Sequence, residues 1–266
     1  MSVDQNTLTK LRAIQLELLD EFVRICNEHN LAYFLTAGTL LGAVRHKGFI
    51  PWDDDLDVGM PRYDYEKFIN LDTETLNEKY YILSYKSKTN AGKYCLNFAK
   101  FCKTGTVFAE SYKEPAGYAG IFIDIFPFDN CYPFFAPLQS FIKRLILNIY
   151  RVKRNALYKK NIINIFAKIF CIVFPLKLVD YIHSTLFLNI KNNKQISYLS
   201  SIYGYKKETH NHAVIYPLSE IIFEGNYYRA PNNYDSFLKT MYGNYMELPP
   251  LEKRRTHLPD YIEFNN

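Results

Sequence analysis

The sequence predicts an α/β or α+β chain built on a small mixed sheet, and three observations carry that expectation. Short apolar runs of strand length alternate with amphipathic stretches across brief links. With 48% hydrophobic and 17% aromatic residues in 266, the chain holds enough apolar surface for a packed core, which excludes global disorder. The middle of the chain differs in kind, being both basic and apolar, and reads as a helical insertion into that core.

The first element is a helix. Leu11, Ile14, Leu18, Phe22 and Ile25 recur at spacings of 3, 4, 4 and 3, and the stripe ends near His29-Asn30. Residues 32–36 have strand length and aromatic content and run straight into Gly38-Thr39. A helix is expected to start within 40–45. Gly48-Phe-Ile-Pro51 is loop chemistry, because the proline restricts Ile50 to extended backbone. Strands are expected at 56–60, 80–83, 94–101 and 121–126, and a helix at 62–69.

Leu138, Ile142, Leu145, Ile149 and Val152 form a further helical stripe, with Lys143, Arg144, Arg151 and Arg154 around it. A second apolar stretch, 162–179, contains Lys168, Pro175 and Lys177. A lysine at the centre of a span costs roughly 2.5–3.5 kcal/mol on insertion scales. Helices packed on the domain, or resting on a membrane, therefore outrank a true span. From Ala213 onward the chain reads as loop-rich, with a helix at 234–242, then Pro249-Pro250 and the Lys253-Arg254-Arg255 cluster.

Residues 131–195 hold eleven Lys/Arg and one acid, Asp180, while the rest of the chain holds 21 basic and 26 acidic residues. The net charge of +5 thus belongs to one segment, and no nucleic-acid partner is expected. Cys26, Cys95, Cys102, Cys131 and Cys171 are scattered without a CxxC pair, which is neither a disulfide framework nor a zinc site. The polar start has no basic region followed by an apolar one, so a cytoplasmic location is expected.

The acidic run Asp53-Asp54-Asp55-Leu56-Asp57 carries the chemistry. Four carboxylates in five residues repel one another unless a cation compensates. If 56–60 is a strand, Asp55 and Asp57 point to one face, with Asp53 in phase and Asp54 opposite. An oxygen-only pair favours Mg²⁺ or Mn²⁺ over zinc. A calcium loop would want glycine and glutamate where Val58 and Asp64 stand, so that reading fails. Gly38-Thr39 after a strand suits a phosphate at a helix start, and Arg45 offers a forked charge to it. Asp124 lies among large apolar residues in Gly120-Ile-Phe-Ile-Asp-Ile-Phe-Pro127, where an unpaired carboxylate is expensive. Asp55, Asp57 and Asp124 together make a metal site, with Asp124 able to take a proton from an attacking hydroxyl.

Thr36-Ala-Gly-Thr-Leu-Leu-Gly-Ala-Val-Arg45 and Gly48-Phe-Ile-Pro-Trp-Asp-Asp-Asp-Leu-Asp57 resemble the signature of the LicD family. The family includes bacterial phosphocholine transferases and is related to fukutin and fukutin-related protein. The likeness continues through Gly120–Pro127, Phe223-Glu-Gly and Tyr242-Gly-Asn-Tyr-Met-Glu-Leu-Pro-Pro250, with Arg255 and His257 beyond. Asn244 stands where the family has aspartate, which puts carboxylate chemistry there in doubt.

The resemblance implies an α+β, nucleotidyltransferase-like core of helices flanking a small mixed sheet. Residues 1–130 would form the catalytic core, 131–200 the basic helical insertion, and 201–266 the part completing the catalytic domain. Gly38-Thr39 would hold phosphate, Asp55 and Asp57 would be the paired metal ligands, and Asp124 the third carboxylate. Lys100, Arg255 and His257 would be phosphate or nucleotide contacts.

The implied reaction moves phosphocholine from CDP-choline to a hydroxyl of a cell-surface glycan or teichoic acid precursor, releasing CMP. The same chemistry with CDP-glycerol, CDP-ribitol or a sugar nucleotide is the alternative, and a non-catalytic metal-binding module is the rival of another class. The acceptor would be a lipid-linked glycan, with residues 138–180 in peripheral contact with the inner face of the membrane.

Overall fold

The structure, a computed structural model, describes residues 5–85, 87, 96–109, 119–132, 134–153, 178, 181, 187, 194–201, 203–254 and 259–264. Helix α1, Gln5–Glu28, buries Leu11, Leu18, Phe22 and Ile25 of the expected stripe. Gln15 is buried with them where Ile14 was expected, because its amide donates to the Asp54 carbonyl at 2.8 Å. Strand β1 (Phe34–Leu35) leads into α2 (Ala37–His46), and β2 (Asp57–Pro61) into α3 (Arg62–Phe68). A single turn, α4 (Thr73–Leu76), is capped by Asp72 accepting from the Thr75 N–H, and β3 (Tyr80–Leu83) follows it.

Strands β4 (Ala99–Lys103), β5 (Val107–Ala109) and β6 (Phe122–Cys131) complete the first half. The main sheet runs β1-β2-β6-β4-β3, with β2 and β6 parallel and the other neighbours antiparallel. Strand β6 is long enough to serve two partners. Its first half lies between β2 and β4, and residues 129–131 pair with β7 (Gln195–Ser197), which pairs with β8 (Thr209–Asn211). The fold is therefore α+β with a mixed sheet, and α1 packs against β4 and β6. Phe22 meets Phe68 at 5.1 Å and Phe34 meets Phe128 at 5.0 Å, edge to face. Each such fully buried ring contributes about 2–3 kcal/mol.

The region after Ala213 is more regular than expected. A short α6 (His212–Ile215) precedes the hairpin β9 (Ser219–Phe223) and β10 (Asn226–Ala230). Its two turn residues, Glu224 and Gly225, both have positive φ. A primed hairpin turn demands this, but it ordinarily selects Asn-Gly or Asp-Gly. Helix α7 (Tyr234–Tyr242) spans the predicted residues, capped by Asn233 and stopped at Gly243. Strand β11 (Tyr261–Glu263) pairs with β5.

Helix α5 (Ala136–Lys153) matches the expected helix, and its apolar stripe is divided between inside and outside. Gln139, Ser140, Lys143, Ile146 and Ile149 are buried, whereas Leu138 and Leu145 of the expected stripe are exposed. The inward face is anchored by polar bonds: Ser140 Oγ donates to the Leu199 carbonyl and Arg144 Nη2 to that of Ser201. The expected stretch at 162–179 lies outside the described residues, except Leu178. Among the described residues no helix is long and apolar enough to cross a membrane.

Candidate active site

The register of three strands puts three charges in one row. Asp57 on β2 is the Cα partner of Asp124 on β6, and Asp124 is that of Lys100 on β4. Side chains in register on neighbouring strands share a face. Lys100 Nζ lies 3.6 Å from Asp124 Oδ1 and 3.2 Å from the centre of the Phe122 ring. Expected to touch phosphate, Lys100 is only 1% exposed and turned to the carboxylate instead.

Asp57 sits at the start of α2. Its carboxylate accepts the Gly38 N–H, and its own N–H donates to Thr39 Oγ1 at 2.7 Å. Thr39 is buried, so its hydroxyl holds the strand entrance. Gly38 lies on the cavity wall, and a Cβ there would come within 2.8 Å of Asp53 Oδ2. Glycine is thus needed for the close approach of a carboxylate. Burial, then the Asp55 and Asp124 charges, push Asp57 well above the usual carboxylate range.

The strand begins at Asp57, so Asp53, Asp54 and Asp55 lie in the loop before it and alternation does not place them. Tertiary bonds do. Arg12 Nη2 donates to the carbonyls of Ile50 (2.7 Å), Pro51 (3.1 Å) and Asp53 (2.7 Å). On the other side of the loop, Glu224 Oε1 accepts the Phe49 N–H and the Glu224 N–H donates to Lys47. A side chain at Gly48 would collide with the Glu224 carboxylate. Held this way, Asp53 hydrogen-bonds Asp55, and burial, then Asp55, pushes Asp53 up to about 8. Asp54, expected on the opposite face, is buried yet still borders the cavity.

The cavity measures about 730 Å³, and Asp53, Asp55, Asp57, Asp124 and Arg45 all line it. Arg45 donates from Nη1 to the Tyr245 carbonyl at 3.0 Å and from Nε to His46, leaving Nη2 unbonded among the described residues. Burial, then the neighbouring Arg254, lower its pKa, so two guanidinium groups share this side of the site. Arg254 stacks on Trp52 at 4.3 Å. Glu208 on the wall is 5% exposed and pushed up to about 7 by burial.

Among the described residues, no three His, Cys, Asp or Glu side chains are grouped closely enough to cage an ion unaided. A Mg²⁺ site does not need such a cage, since the ion keeps waters and takes phosphate oxygens alongside one or two carboxylates. The register pair Asp57–Asp124, with Asp55 beside it, is an oxygen-only set whose mutual repulsion a divalent cation would relieve, so these residues fit that group.

Arg255 and His257 lie outside the described residues. Sequence reasoning missed Arg12, Gln15, Glu208 and Arg254. Arg254 carried a signal, its place in the basic cluster, but only its stacking on Trp52 separates it from its neighbours.

Carboxylates on a mixed sheet, gathered beside a helix start in one cavity, make a site suited to phosphate chemistry. Residues 30–141 match the family described as LicD/FKTN/FKRP, nucleotidyltransferase domain. The chain is 34% identical over 274 residues to the lipopolysaccharide cholinephosphotransferase LicD of Haemophilus influenzae, covering 94% of this chain and 96% of that protein. An uncharacterised protein of Rickettsia typhi is 30% identical over 131 residues (49% of this chain, 39% of that protein). Another, from Rickettsia prowazekii, is 33% identical over 106 (37% and 40%). The chain belongs to the LicD family.

Proposed function

We propose that this LicD-family transferase moves phosphocholine from CDP-choline to a hydroxyl of a cell-surface glycan or teichoic acid precursor and releases CMP. The observation that carries the reading is the Asp57–Asp124 register pair on the wall of a cavity that also holds Arg45. Similarity to a lipopolysaccharide cholinephosphotransferase supports phosphocholine as the transferred group.

Asp55, Asp57 and Asp124 would hold Mg²⁺ (or Mn²⁺), which when bound neutralises charge on the phosphate oxygens. Arg45, with Nη1 held by the Tyr245 carbonyl, would offer Nη2 to the pyrophosphate, and Arg254 adds positive charge on the same side. Asp124 accepts the proton of the attacking glycan hydroxyl. The new oxygen–phosphorus bond forms on one side as the pyrophosphate bridge breaks on the other, and CMP leaves with that electron pair. Lys100 steadies Asp124 from beneath, and the Gly38 N–H steadies Asp57. Fixing both carboxylates beforehand would speed the transfer, because little is then reorganised during the reaction.

The acceptor is proposed to be lipid-linked and met at an anionic membrane face. Phe134, Leu138, Phe141 and Leu145 follow one another at spacings of 4, 3 and 4, and all are exposed, Phe134 at 93% and Phe141 at 64%. They form an apolar stripe on and just before α5, within the segment that carries eleven Lys/Arg against one acid. Apolar contact plus basic charge is what an interfacial helix needs. Through Arg144 and Ser201 the same helix touches the cavity wall.

The test is turnover. Protein is incubated with Mg²⁺, a panel of CDP-choline, CDP-glycerol and CDP-ribitol, and a glycan acceptor, and CMP release is measured for the native chain and Asp55→Asn. Release that depends on acceptor and is fastest with CDP-choline supports the reading. Unchanged release in Asp55→Asn removes that residue from the mechanism, and no release with any donor sinks the transferase.

A further inference from the structure

One wall of the cavity holds a carboxylate with no cation to answer it among the described residues. Glu208 closes a short 3₁₀ turn, 205–208, between β7 and β8. It is 5% exposed and faces the cavity. Its single hydrogen bond among the described residues comes from Ser201 Oγ at 3.0 Å, and Ser201 Oγ in turn accepts the Tyr203 N–H at 3.1 Å. No lysine, arginine or histidine among the described residues acts on it; burial alone pushes it up to about 7 against that one bond. A buried acid in such a place is costly unless something visits it.

Its neighbours are aromatic. Tyr198, Tyr203 and Tyr242 line the same cavity. The Glu208 charge acts on Tyr198 and Tyr242, and Tyr242 feels Asp57 as well. Tyr242 is thus within electrostatic reach of both Glu208 and Asp57. Arg45 sits elsewhere on the wall, toward Asp53, with Arg254 near it and stacked on Trp52.

We propose that Glu208, with the rings of Tyr198, Tyr203 and Tyr242, forms a subsite for a quaternary ammonium group. The rings offer π faces and Glu208 the counter-charge. The chemistry favours this class over a primary amine. A primary ammonium brings three N–H donors that each want an acceptor, whereas ring faces offer none and Ser201 already occupies one Glu208 oxygen. A quaternary nitrogen has no N–H to satisfy. The subsite rests on the phosphotransferase reading for the place of the phosphorus, and it sets the donor's direction. The cationic alcohol lies toward Glu208, the phosphorus at Asp57 and Asp124, and the nucleotide phosphate toward Arg45.

The test separates charge from shape. The full-length protein at pH 8 is titrated calorimetrically with choline and with 3,3-dimethylbutan-1-ol, its uncharged isostere. Choline is expected to bind about tenfold tighter than the isostere, and Glu208→Gln to shrink that difference several-fold without weakening the isostere. Tyr203→Leu, at a residue 66% exposed, is a second variant that keeps the fold and should weaken choline several-fold. Equal binding of choline and isostere, or choline binding unchanged in both variants, overturns the subsite. Release of CMP from CDP-glycerol without choline binding overturns the subsite while the transferase stands. Choline binding that depends on Glu208, without CMP release from any donor, upholds the subsite and sinks the transferase.

Discussion

Asp57 and Asp124 are register partners across the parallel strands β2 and β6, so two carboxylates far apart in sequence share one cavity wall. Burial and mutual charge raise the pKa of Asp57 well above the usual range, which marks a site arranged for chemistry at some expense to stability. Asp124→Asn is expected to lower CMP release by about 10²–10⁴-fold, the usual worth of a proton acceptor. Asp57→Asn is expected to abolish release as well, yet to unfold in metal-free buffer at a midpoint no lower than the native chain. A midpoint several degrees lower would mark Asp57 as a structural carboxylate.

How far this site was legible depended on whether local rules or distant contacts placed each residue. Asp124 stood out because a lone acid among large apolar residues is expensive wherever the strand ends up. Residues 80–83 and 234–242 were readable in type and extent, the latter because Asn233 caps and Gly243 stops its helix. The hairpin at Ser219–Ala230 was hidden, because Glu224 takes a positive φ that its sequence type does not favour. Its bonds to Lys47 and Phe49 hold it there, and neither is a neighbour in sequence. Glu208 gave no sequence signal beside Lys206 and Lys207; only burial against the cavity distinguishes it. The stripe on α5 did not tell which face turns inward, because the helix has apolar residues on both sides and bonds from Ser140 and Arg144 choose it.

Arg12, together with Gln15, is how α1 fixes the acidic loop. Its guanidinium bridges three carbonyls, a task that a point-charged lysine cannot copy. Arg12→Ala is expected to cost about 2–3 kcal/mol in urea unfolding, the scale for charge-assisted bonds in a half-buried setting. Arg12→Lys should recover only part of it. Both should reduce CMP release more than they reduce the folded fraction, because Asp53 and Asp55 lose their position. Full activity in a folded Arg12→Ala would disconnect the clamp from the chemistry.

Glu208 makes stability depend on pH with a definite sign. Burial raises its pKa from the ordinary 4.5 to about 7, so the folded chain binds the proton more tightly than the unfolded one. The resulting stabilisation is complete below 4.5 and is lost as pH rises through about 7. Glu208→Gln cannot titrate. Its stability relative to the native chain should therefore climb between these values and level off above them, as read from urea midpoints at closely spaced pH. A difference that stays flat across the window would show that Glu208 titrates alike in both states.

The stripe on α5 predicts a membrane dependence that is separable from catalysis. Phe141 and Leu138 are exposed, so Phe141→Asp with Leu138→Asp removes no core contact, and the thermal midpoint should stay within a few degrees of the native value. Each aspartate replaces apolar surface worth about 1.5–3 kcal/mol when buried and adds repulsion from anionic headgroups. Flotation with vesicles containing phosphatidylglycerol should therefore fall from predominantly bound to predominantly free. With pure phosphatidylcholine vesicles the native chain should bind less, because the basic segment gains about 1 kcal/mol per Lys/Arg only near anionic lipid. CMP release with a soluble acceptor should match the native chain, and release with a vesicle-embedded acceptor should drop with binding. If the double variant still floats with anionic vesicles, the stripe is not what meets the membrane, whatever the charge of the segment around it.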